Sequence, residues 1–394
     1  MPDWIYSPDI SLDVPAHLDT HVRWLLNSIY FSRVTTGREF EDYVPLHSRL
    51  LSLVFGGHDQ IRPTRNACLE AGLIELDGEG YKPGVHSLRY RLGPALLGVK
   101  FTRWNIPGKR FAKRVREFRS HLTSTTELDE VGHHLRKSLE LVKFISVGET
   151  LEELPHEKAE LAREQIDVFE QGVVRAKRCE FGKRFHSNIT GIVGEVRKHC
   201  LSFDGRTPLI EVDLACSQPY QLACMTSGVK YSSLSPYIPT HSIPSHSLSP
   251  YVSCFDFLED VLGGVLYDRF QSAGGFESKG ETKDKFFGEV YGKVHQGMPI
   301  FAELYPEVAE ELMRMKSERG YKSVPQEMQR RESGAIIDGV CGRLMREYPN
   351  VPLITCHDSI LCEEKDLDII LELIRWAHRG NPYQPLLRVN GEDV

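Results

Sequence analysis

The 394-residue sequence lacks the features that mark membrane, secreted and metal-thiolate proteins. No apolar run approaches the roughly 20 residues that a membrane-spanning helix needs, and the N-terminal residues MPDWIYSPDISLDVP lack the basic and apolar regions of a signal peptide. The nine cysteines include no C-x-x-C pair, which favours reduced thiols over a disulfide framework. We therefore expect a globular cytoplasmic protein without a membrane partner.

The chain also lacks a uniformly basic composition, because its formal net charge is −7. Two runs are nevertheless rich in basic residues, KFTRWNIPGKRFAKRVREFR at 100–119 and RAKRCEFGKR at 175–184. Each run is either a solvated helix face or the contact surface of a polyanion such as a nucleic acid. The sequence leaves both interpretations open.

Residues 43–92 carry a separate pattern of two helices and a hairpin. YVPLHSRLLSLVFG has the apolar spacing of an amphipathic helix, and IRPTRNACLEAGLIEL predicts a second helix that stops near Gly72. GLIELDGEGYKPGVHSLRYRL then alternates like a two-stranded hairpin with a glycine-rich turn. This order resembles the winged helix, a helix-turn-helix variant that commonly binds DNA. The resemblance puts Arg62 and Arg65 on the recognition helix and Lys82 and Arg89 on the wing. A winged helix that makes protein contacts is the alternative.

Two further stretches complete the outline of the chain. Residues 120–175 are charged and predicted to be helical, and residues 231–253 are rich in Ser, Pro and His, which predicts a long irregular insertion. The insertion's histidines have no cysteine or acidic neighbours, so we expect no metal site there.

Two aspartates lie at the ends of β-rich segments. Asp213 ends the strand-like LIEV in LIEVDLACSQPYQLA, and Asp358 lies in the middle of ITCHDSILCEE, where a bend between two strands would present its carboxylate. Paired carboxylates of this kind hold two divalent ions about 4 Å apart, and Mg²⁺ prefers such oxygen ligands. An ordinary hairpin turn at Asp358 is the alternative, and two aspartates alone do not exclude it.

The stretch KGETKDKFFGEVYGKVHQG at 279–297 has the skeleton KxxxKxxxFGxxYG. Because these positions are spaced by four, Lys279, Lys283, Phe287 and Tyr291 should share one face of a helix. The two cations suit a triphosphate, and the two rings suit a base and a sugar beside it. The stretch therefore predicts a nucleotide-binding helix.

The order of these motifs resembles that of the polymerase-I-like (family A) DNA polymerases and the related phage-type single-subunit RNA polymerases. DLACSQ corresponds to motif A, KxxxKxxxFGxxYG to the fingers helix, and CHDS to motif C. GKRFHSNITGIVGEVRKHCL is similar to the segment before motif A, and QEMQRRESGAIIDGVCGRLM to the long palm helix. The resemblance covers roughly residues 180–370.

The resemblance implies an α+β fold, a right-hand polymerase palm, fingers and thumb with a small N-terminal winged-helix domain. The domains would be 1–98 (winged helix), 99–178 (helical linker or thumb-like region) and 179–394 (palm and fingers). No exonuclease carboxylate set is apparent in the first 180 residues, so we expect no proofreading.

The resemblance also implies a role for each matching residue. Asp213 and Asp358, with the carbonyl of Leu214, would bind two Mg²⁺ ions. Lys279 and Lys283 would bind the phosphates of the nucleoside triphosphate, and Lys283 could protonate the pyrophosphate leaving group. The other implied contacts are Phe287, Tyr291 and Gln218 at the nucleotide, and His357, Arg184 and Gln329 at the primer and template DNA.

In the enzymes that the chain resembles, the choice of sugar depends on the residue five positions after the motif A aspartate. The DNA enzymes carry a glutamate there that blocks the ribose 2′-hydroxyl, whereas the RNA enzymes carry glycine. An ungapped count reaches Gln218, which predicts a preference for dNTPs, and a register shifted by two reaches Tyr220. Ser359, which follows the motif C aspartate, matches the RNA enzymes instead.

We therefore expect a template-directed nucleotidyltransferase, a small DNA-directed DNA polymerase of a phage, plasmid or mobile element. One alternative is a single-subunit RNA polymerase or primase. Another is a non-catalytic, DNA-binding replication initiator, against which the intact Asp213, Asp358 and Lys283 argue.

Overall fold

The computed structural model describes residues 3–80, 87–124, 128–170, 172, 174–227, 252–381 and 383–394. Lys82 of the predicted wing lies outside the described residues, as does most of the predicted insertion at 231–253. Within the described ranges, no helix is long and apolar enough to cross a membrane.

Helices make up most of the described chain. They are numbered in chain order: α1 (Asp19–Thr35), α2 (Ser48–Phe55), α3 (Ile61–Glu70), α4 (Lys109–Ser124), α5 (Glu130–Glu140), α6 (Val147–Glu152), α7 (His156–Glu170), α8 (Gly194–His199), α9 (Ser217–Ser227), α10 (Val252–Leu262), α11 (Leu266–Gly274), α12 (Lys279–Tyr291), α13 (Pro299–Leu304), α14 (Pro306–Arg319), α15 (Ser323–Ser333), α16 (Gly342–Glu347) and α17 (Leu367–Ala377).

The strands are short and form several small sheets. They are β1 (Trp4–Pro8), β2 (Val44–Pro45), β3 (Ile74–Leu76), β4 (Arg89–Leu92), β5 (Phe101–Asn105), β6 (Lys143–Phe144), β7 (Ala176–Arg178), β8 (Phe185–Ser187), β9 (Leu201–Ser202), β10 (Ile210–Leu214), β11 (Ile354–Cys356), β12 (Ser359–Cys362), β13 (Leu387–Val389) and β14 (Glu392–Asp393). Two-stranded sheets pair β1 with β5, β6 with β9, and β7 with β8.

The chain divides into two compact units. Unit 1 comprises Met1–Leu128, Ser146–Lys177 and Ser187–Cys200, and unit 2 comprises Asp129–Ile145, Arg178–His186 and Leu201–Val394. The three functional domains expected from the sequence stay a prediction.

Unit 1 contains the helix, helix and hairpin order that the sequence predicts for residues 43–92. Helices α2 and α3 precede the antiparallel strands β3 and β4, and β2 adds a third strand in the order β2-β4-β3. On α3 the residues Ile61, Thr64 and Cys68 are buried, a spacing of three and four that places them on one helix face. Gly56, with a φ of 83°, follows the last residue of α2, where the left-handed conformation favours glycine.

The basic run at 100–119 forms β5 and the start of α4 in unit 1. Its apolar residues Phe111, Ala112 and Val115 are buried in the core of this unit. Lys109, Arg110 and Lys113 alternate with them and are exposed. The charges therefore lie on the solvated side of an amphipathic helix, where they remain accessible to a polyanion.

A five-stranded antiparallel sheet in unit 2 has the order β11-β12-β10-β13-β14. Strands β11 and β12 form a hairpin in which Cys356 pairs with Ser359, so His357 and Asp358 make up the turn. His357 has a φ of 59°, a left-handed conformation that non-glycine residues rarely adopt. The structure thus contains the bend between two strands that the sequence predicts.

Helices α9 to α14 of unit 2 pack around a second apolar core. Phe286 on α12 lies 5.7 Å from Phe301, and Phe257 lies 5.0 Å from Tyr305, measured between ring centroids. These four rings are buried, and their edge-to-face packing fixes the side of α12 that faces inward.

A long helical segment of unit 2 changes its winding in the middle. It runs through α15, a π-helix at Gly334–Cys341, and α16. Turns of π-helix are rare and frequently lie near functional sites. Glu332, two residues before this π-helix, belongs to the site described below.

Candidate active site

The fold of unit 2 brings the two predicted metal-binding aspartates together. Asp213 lies on β10, and Asp358 lies in the turn that leads into β12, the neighbour of β10. Val212 and Ile360 are the last residues paired between these strands, so Asp213 is one step further along, beside the turn. Both aspartates are only partly accessible to solvent.

The surroundings of Asp213 disfavour its negative charge. Burial and the nearby Glu211 raise the pKa of Asp213 to about 6, and Arg388 and Lys283 oppose this rise. Arg388 is the cross-strand partner of Asp213 on β13. Lys283 belongs to α12, so its effect on Asp213 places the predicted nucleotide-binding helix next to the aspartates.

Asp358 is in a similar environment. Burial, Glu332 and Asp213 raise the pKa of Asp358 well above its ordinary value, and Arg184 partly opposes them. In these two poorly solvated environments negative groups outnumber positive ones, with four carboxylates, Glu211, Asp213, Glu332 and Asp358, against the three cations Arg184, Lys283 and Arg388. Such a site has an intrinsic affinity for cations, because a cation would relieve the repulsion between the carboxylates.

The donor set is compatible with Mg²⁺. In proteins Mg²⁺ is usually held by one or two carboxylates, with waters and substrate phosphates completing its coordination. Asp213 and Asp358 supply two carboxylates of this kind, and no cluster of three or more His, Cys, Asp or Glu ligands occurs among the described residues. Leu214 pairs with Leu387 in the sheet, and its backbone N–H lowers the pKa of Asp213, against the effect of burial.

Helix α12 begins with a capped N-terminus, where the Ser278 hydroxyl accepts the N–H of Glu281 at 3.1 Å. Lys279 and Lys283 are both exposed on this helix. The Lys283 ammonium lies 5.3 Å from the centre of the Tyr267 ring, within the range of a cation–π contact.

The two aromatic residues of the predicted nucleotide-binding face are also adjacent in space. The rings of Phe287 and Tyr291 lie 5.0 Å apart and are half-buried. Tyr267 is a further neighbour, with its ring 6.4 Å from that of Phe287. The helix therefore presents two cations and then two rings along one side, as the four-residue spacing predicts.

Gln218 forms a hydrogen bond with α12, whereas the Tyr220 hydroxyl forms its hydrogen bond elsewhere. Cys216, with a φ of 52°, makes a tight connection between β10 and α9, and Gln218 follows in the first turn of α9. The Tyr291 hydroxyl donates to Oε1 of Gln218 at 2.7 Å. Tyr220 is fully buried elsewhere, where its hydroxyl donates to the carbonyl oxygen of Tyr383 at 2.6 Å.

The sequence did not identify Glu332, although this residue is central to the site. Its Oε1 accepts the Arg184 Nε–H at 2.8 Å, and its Oε2 accepts the Ser217 hydroxyl at 2.8 Å and the amide N–H of Gln218. One signal could have found it. Val324 and Met328 are buried on α15, and Glu332 occupies the next position of this four-residue repeat, where an apolar residue is expected.

The remaining primer and template candidates also lie in unit 2. The His357 ring is 5.8 Å from the ring of His186, in an edge-to-face arrangement. Gln329 packs against the turn at Gly182, where an added Cβ would lie 2.4 Å from the Gln329 Oε1. Arg184, the third candidate, is paired with Glu332.

In unit 1, the predicted DNA-binding arginines are in different environments. Arg62 is exposed on α3, and Arg65 is half-buried beside the hydroxyl of Tyr90. Arg89 forms ion pairs within its own hairpin, to Asp77 and, at 2.8 Å, to Glu79. Of these arginines, Arg62 is therefore the best placed to contact a phosphate. Lys82 lies outside the described residues.

The second basic run is largely neutralised by acidic partners. Arg178 forms ion pairs with Asp129 at 2.5 Å and with Asp338 at 2.7 Å. Lys183 pairs with Glu180 at 2.9 Å, and Arg184 is bound to Glu332 as described above. The number of basic residues in this run therefore overstates the net positive charge around it in the folded protein.

No family model matches the chain, and no curated protein matches it. Among solved structures, the chain is similar to the POL domain of Pol1 from M. smegmatis in complex with DNA primer-template and dNTP, at 12% sequence identity. The match covers 96% of this chain and 66% of that one, with a TM-score of 0.36. A TM-score this low does not establish a shared fold, so the case for a function rests on the side chains of this chain.

Proposed function

We propose that this protein is a template-directed nucleotidyltransferase that extends a primer on a DNA template with dNTPs. The observation that carries the proposal is the convergence of Asp213 and Asp358 beside Lys283 of α12, with raised pKa values on both carboxyls. In this interpretation the antiparallel sheet of unit 2 is a polymerase palm, and α12 is the nucleotide-binding helix of the fingers.

The proposed site would use two Mg²⁺ ions, bound by Asp213 and Asp358 with the carbonyl of Leu214. When bound, these ions would lower the pKa of the attacking primer hydroxyl and stabilise the leaving pyrophosphate. The remaining contributions come from the protein. Lys279 and Lys283 are exposed on one side of α12, where they bind the triphosphate, and the Lys283 ammonium can protonate the pyrophosphate as it leaves.

The sugar and base of the incoming nucleotide would lie against Phe287, Tyr291 and Gln218. The two rings offer an apolar surface that follows the two lysines along α12. Gln218 fills the space beside Tyr291 and would collide with a ribose 2′-hydroxyl, so we propose that the site prefers dNTPs. The contact between Gln218 and Tyr291 supports the ungapped register of motif A over the register that uses Tyr220.

Unit 1 would contribute DNA binding. The order α1, β2, α2, α3, β3 and β4 supports a winged helix with α3 as the recognition helix. Arg62 is exposed on α3, and Lys109, Arg110 and Lys113 are exposed on α4. These cations would bind backbone phosphates, which position a protein on DNA without reading its sequence.

A primer-extension assay on a preannealed DNA template, with dNTPs and rNTPs offered separately, tests this function. We expect Mg²⁺-dependent extension by the wild type with dNTPs and none by Asp213→Ala or Asp358→Ala, although both variants should still bind the primer-template. Asp368→Ala, which removes an exposed carboxylate of unit 2, is the matched control. Extension by either aspartate variant would contradict the metal assignment.

Sugar selection is tested in the same assay. Gln218→Gly should relax the preference toward rNTPs, because it empties the space that the side chain fills, and Tyr220→Ala should leave the preference unchanged. A wild type that prefers rNTPs would instead support a single-subunit RNA polymerase or primase, the reading that Ser359 favours. A wild type that extends with neither sugar would contradict the proposed activity.

A further inference from the structure

Glu332 is a buried carboxylate whose two oxygens are bound to different parts of the site. Only 1% of the residue is exposed. Oε1 is bound by the Arg184 guanidinium, with the second nitrogen at 2.6 Å, and Oε2 is bound by Ser217 and Gln218. A buried charge is tolerated only when it is paired and hydrogen-bonded. Both oxygens of Glu332 therefore act as hydrogen-bond acceptors.

The hydrogen bonds of Glu332 determine the orientation of the Gln218 amide. A carboxylate only accepts hydrogen bonds, so the amide nitrogen of Gln218 must face it. The amide oxygen is then directed to Tyr291, whose hydroxyl donates to it at 2.7 Å. A reversed amide would place its oxygen against the carboxylate and its N–H groups against the donating hydroxyl.

We infer that Glu332 is a positioning residue for sugar selection. It holds the Gln218 side chain fixed beside Tyr291, where this side chain forms the wall of the sugar pocket that excludes a 2′-hydroxyl. The inference rests on the proposed function and goes beyond it, since it assigns a role to a residue that would not itself touch the nucleotide. Glutamine has several rotatable bonds and would yield to a 2′-hydroxyl if it were held at one end only. Because Glu332 binds the amide nitrogen and Tyr291 binds the amide oxygen, the Gln218 side chain cannot move without breaking a hydrogen bond.

The same carboxylate also connects the sugar pocket to Arg184, the candidate primer and template contact. Glu332 is on α15, Arg184 precedes β8, and Gln218 is on α9. A single buried side chain therefore connects its own helix with two other segments of unit 2. The DNA enzymes that the chain resembles use a glutamate as the wall itself, whereas here the wall is an amide and the carboxylate lies behind it.

The first test compares Glu332→Gln with the wild type by the ratio of kcat/KM for a dNTP to kcat/KM for the matching rNTP. We expect this ratio to fall about tenfold or more, since loss of a charge-assisted hydrogen bond is worth about one tenfold step. A merely structural role would lower both values together and leave the ratio unchanged. Glu327→Gln is the matched control, because Glu327 lies on the same helix and pairs only with Arg331 at the surface among the described contacts.

Two further variants keep the test decisive if Glu332→Gln does not fold. Gln218→Met retains the length of the wall but loses both hydrogen bonds, and it leaves the pair of Arg184 and Glu332 intact. We expect it to lower the ratio as well. The variant Gln218→Glu alone places two carboxylates against each other. The exchange variant Gln218→Glu/Glu332→Gln restores one N–H to carboxylate hydrogen bond between the two positions. Its dNTP to rNTP ratio should therefore exceed that of Gln218→Glu.

The possible failures are distinct. A wild type that selects dNTPs, together with an unchanged ratio in Glu332→Gln or in Gln218→Met, overturns the inference and leaves the proposed function standing. A wild type that extends with neither sugar overturns the proposed function, and the inference with it.

Discussion

Replacing Lys316 on α14 with methionine should stabilise unit 2 at neutral pH. Lys316 is 2% exposed, and its Nζ donates to the carbonyl oxygen of Glu289 at 3.0 Å and lies 3.7 Å from the Met298 sulfur. Burial lowers the pKa of Lys316 from 10.5 to about 8, and the Glu289 carboxylate only partly opposes this effect. The protonated side chain is therefore less stable in the folded protein than in the unfolded chain.

The size of the effect follows from this pKa and from the contacts of Lys316. At roughly 1.4 kcal/mol for each pKa unit, the lowered pKa corresponds to about 3 kcal/mol of lost stability. Methionine removes this penalty and fills similar space, but it loses the hydrogen bond to Glu289, which is worth about 1 kcal/mol. The expected net gain for Lys316→Met is about 2 kcal/mol at neutral pH.

The gain should depend on pH in a defined direction. The pKa is lower in the folded than in the unfolded state, so the penalty is complete below about pH 8 and is lost as the pH rises from about 8 to 10.5. The advantage of Lys316→Met over the wild type should therefore disappear across this range. Tyrosines and cysteines also titrate in this pH range, but their contribution to stability is the same in both proteins and cancels in the difference.

The assay is amide hydrogen exchange across a urea series, measured on the peptides of α12 and α14, because the two units of the chain need not unfold together. Lys285→Met, which replaces an exposed lysine of α12, is the control and should change little. A Lys316→Met protein that is less stable than the wild type at neutral pH, or whose advantage persists at high pH, would refute the burial argument.

Three further predictions concern the candidate site and the proposed DNA-binding surface. Because the pKa of Asp213 is raised to about 6, its protonated form predominates below that pH. The Mg²⁺ concentration needed for extension should therefore rise about tenfold for each pH unit below about 6. A Mg²⁺ requirement that does not change with pH would contradict this. Arg184→Met should cost unit 2 about 3–5 kcal/mol in hydrogen-exchange stability, because it leaves Glu332 buried and unbalanced, and a loss below about 1 kcal/mol would contradict the pairing. Arg62→Ala should lower the steepness of log affinity for DNA against log salt by about one. Arg89→Ala should leave this slope unchanged, because Arg89 is already paired within its hairpin. Equal slopes in the wild type and both variants would mean that α3 does not contact phosphate.

The elements that the sequence predicted well are those specified by short-range patterns. The two helices and the hairpin of residues 43–92, the bend at Asp358 and the helix at 279–291 all occur in the structure. Each depends on side-chain periodicity or turn chemistry over a few residues, and these act whatever the rest of the chain does. The alignment of Lys279, Lys283, Phe287 and Tyr291 is of this kind, because the pitch of one helix determines it.

Charge is where the sequence pattern alone left alternatives open. The run at 175–184 was compatible with a polyanion surface, but Arg178, Lys183 and Arg184 are each neutralised by an acidic residue, and for Arg178 and Arg184 that residue comes from a distant part of the chain. Arg89 of the predicted wing is likewise paired inside its hairpin. A linear count of charges cannot show such pairs, because an ion pair depends on which backbones come within a few ångströms of each other.

The sequence by itself determined which residue types are available for chemistry: two aspartates at strand ends, and a helix with two cations and two rings. Only the tertiary structure decided that Gln218 rather than Tyr220 meets Tyr291, and that Glu332 binds Gln218 and Arg184 at once. The physical reason is burial. A polar group removed from water must find its partner within the protein, and that partner comes from whichever segment the packing brings beside it.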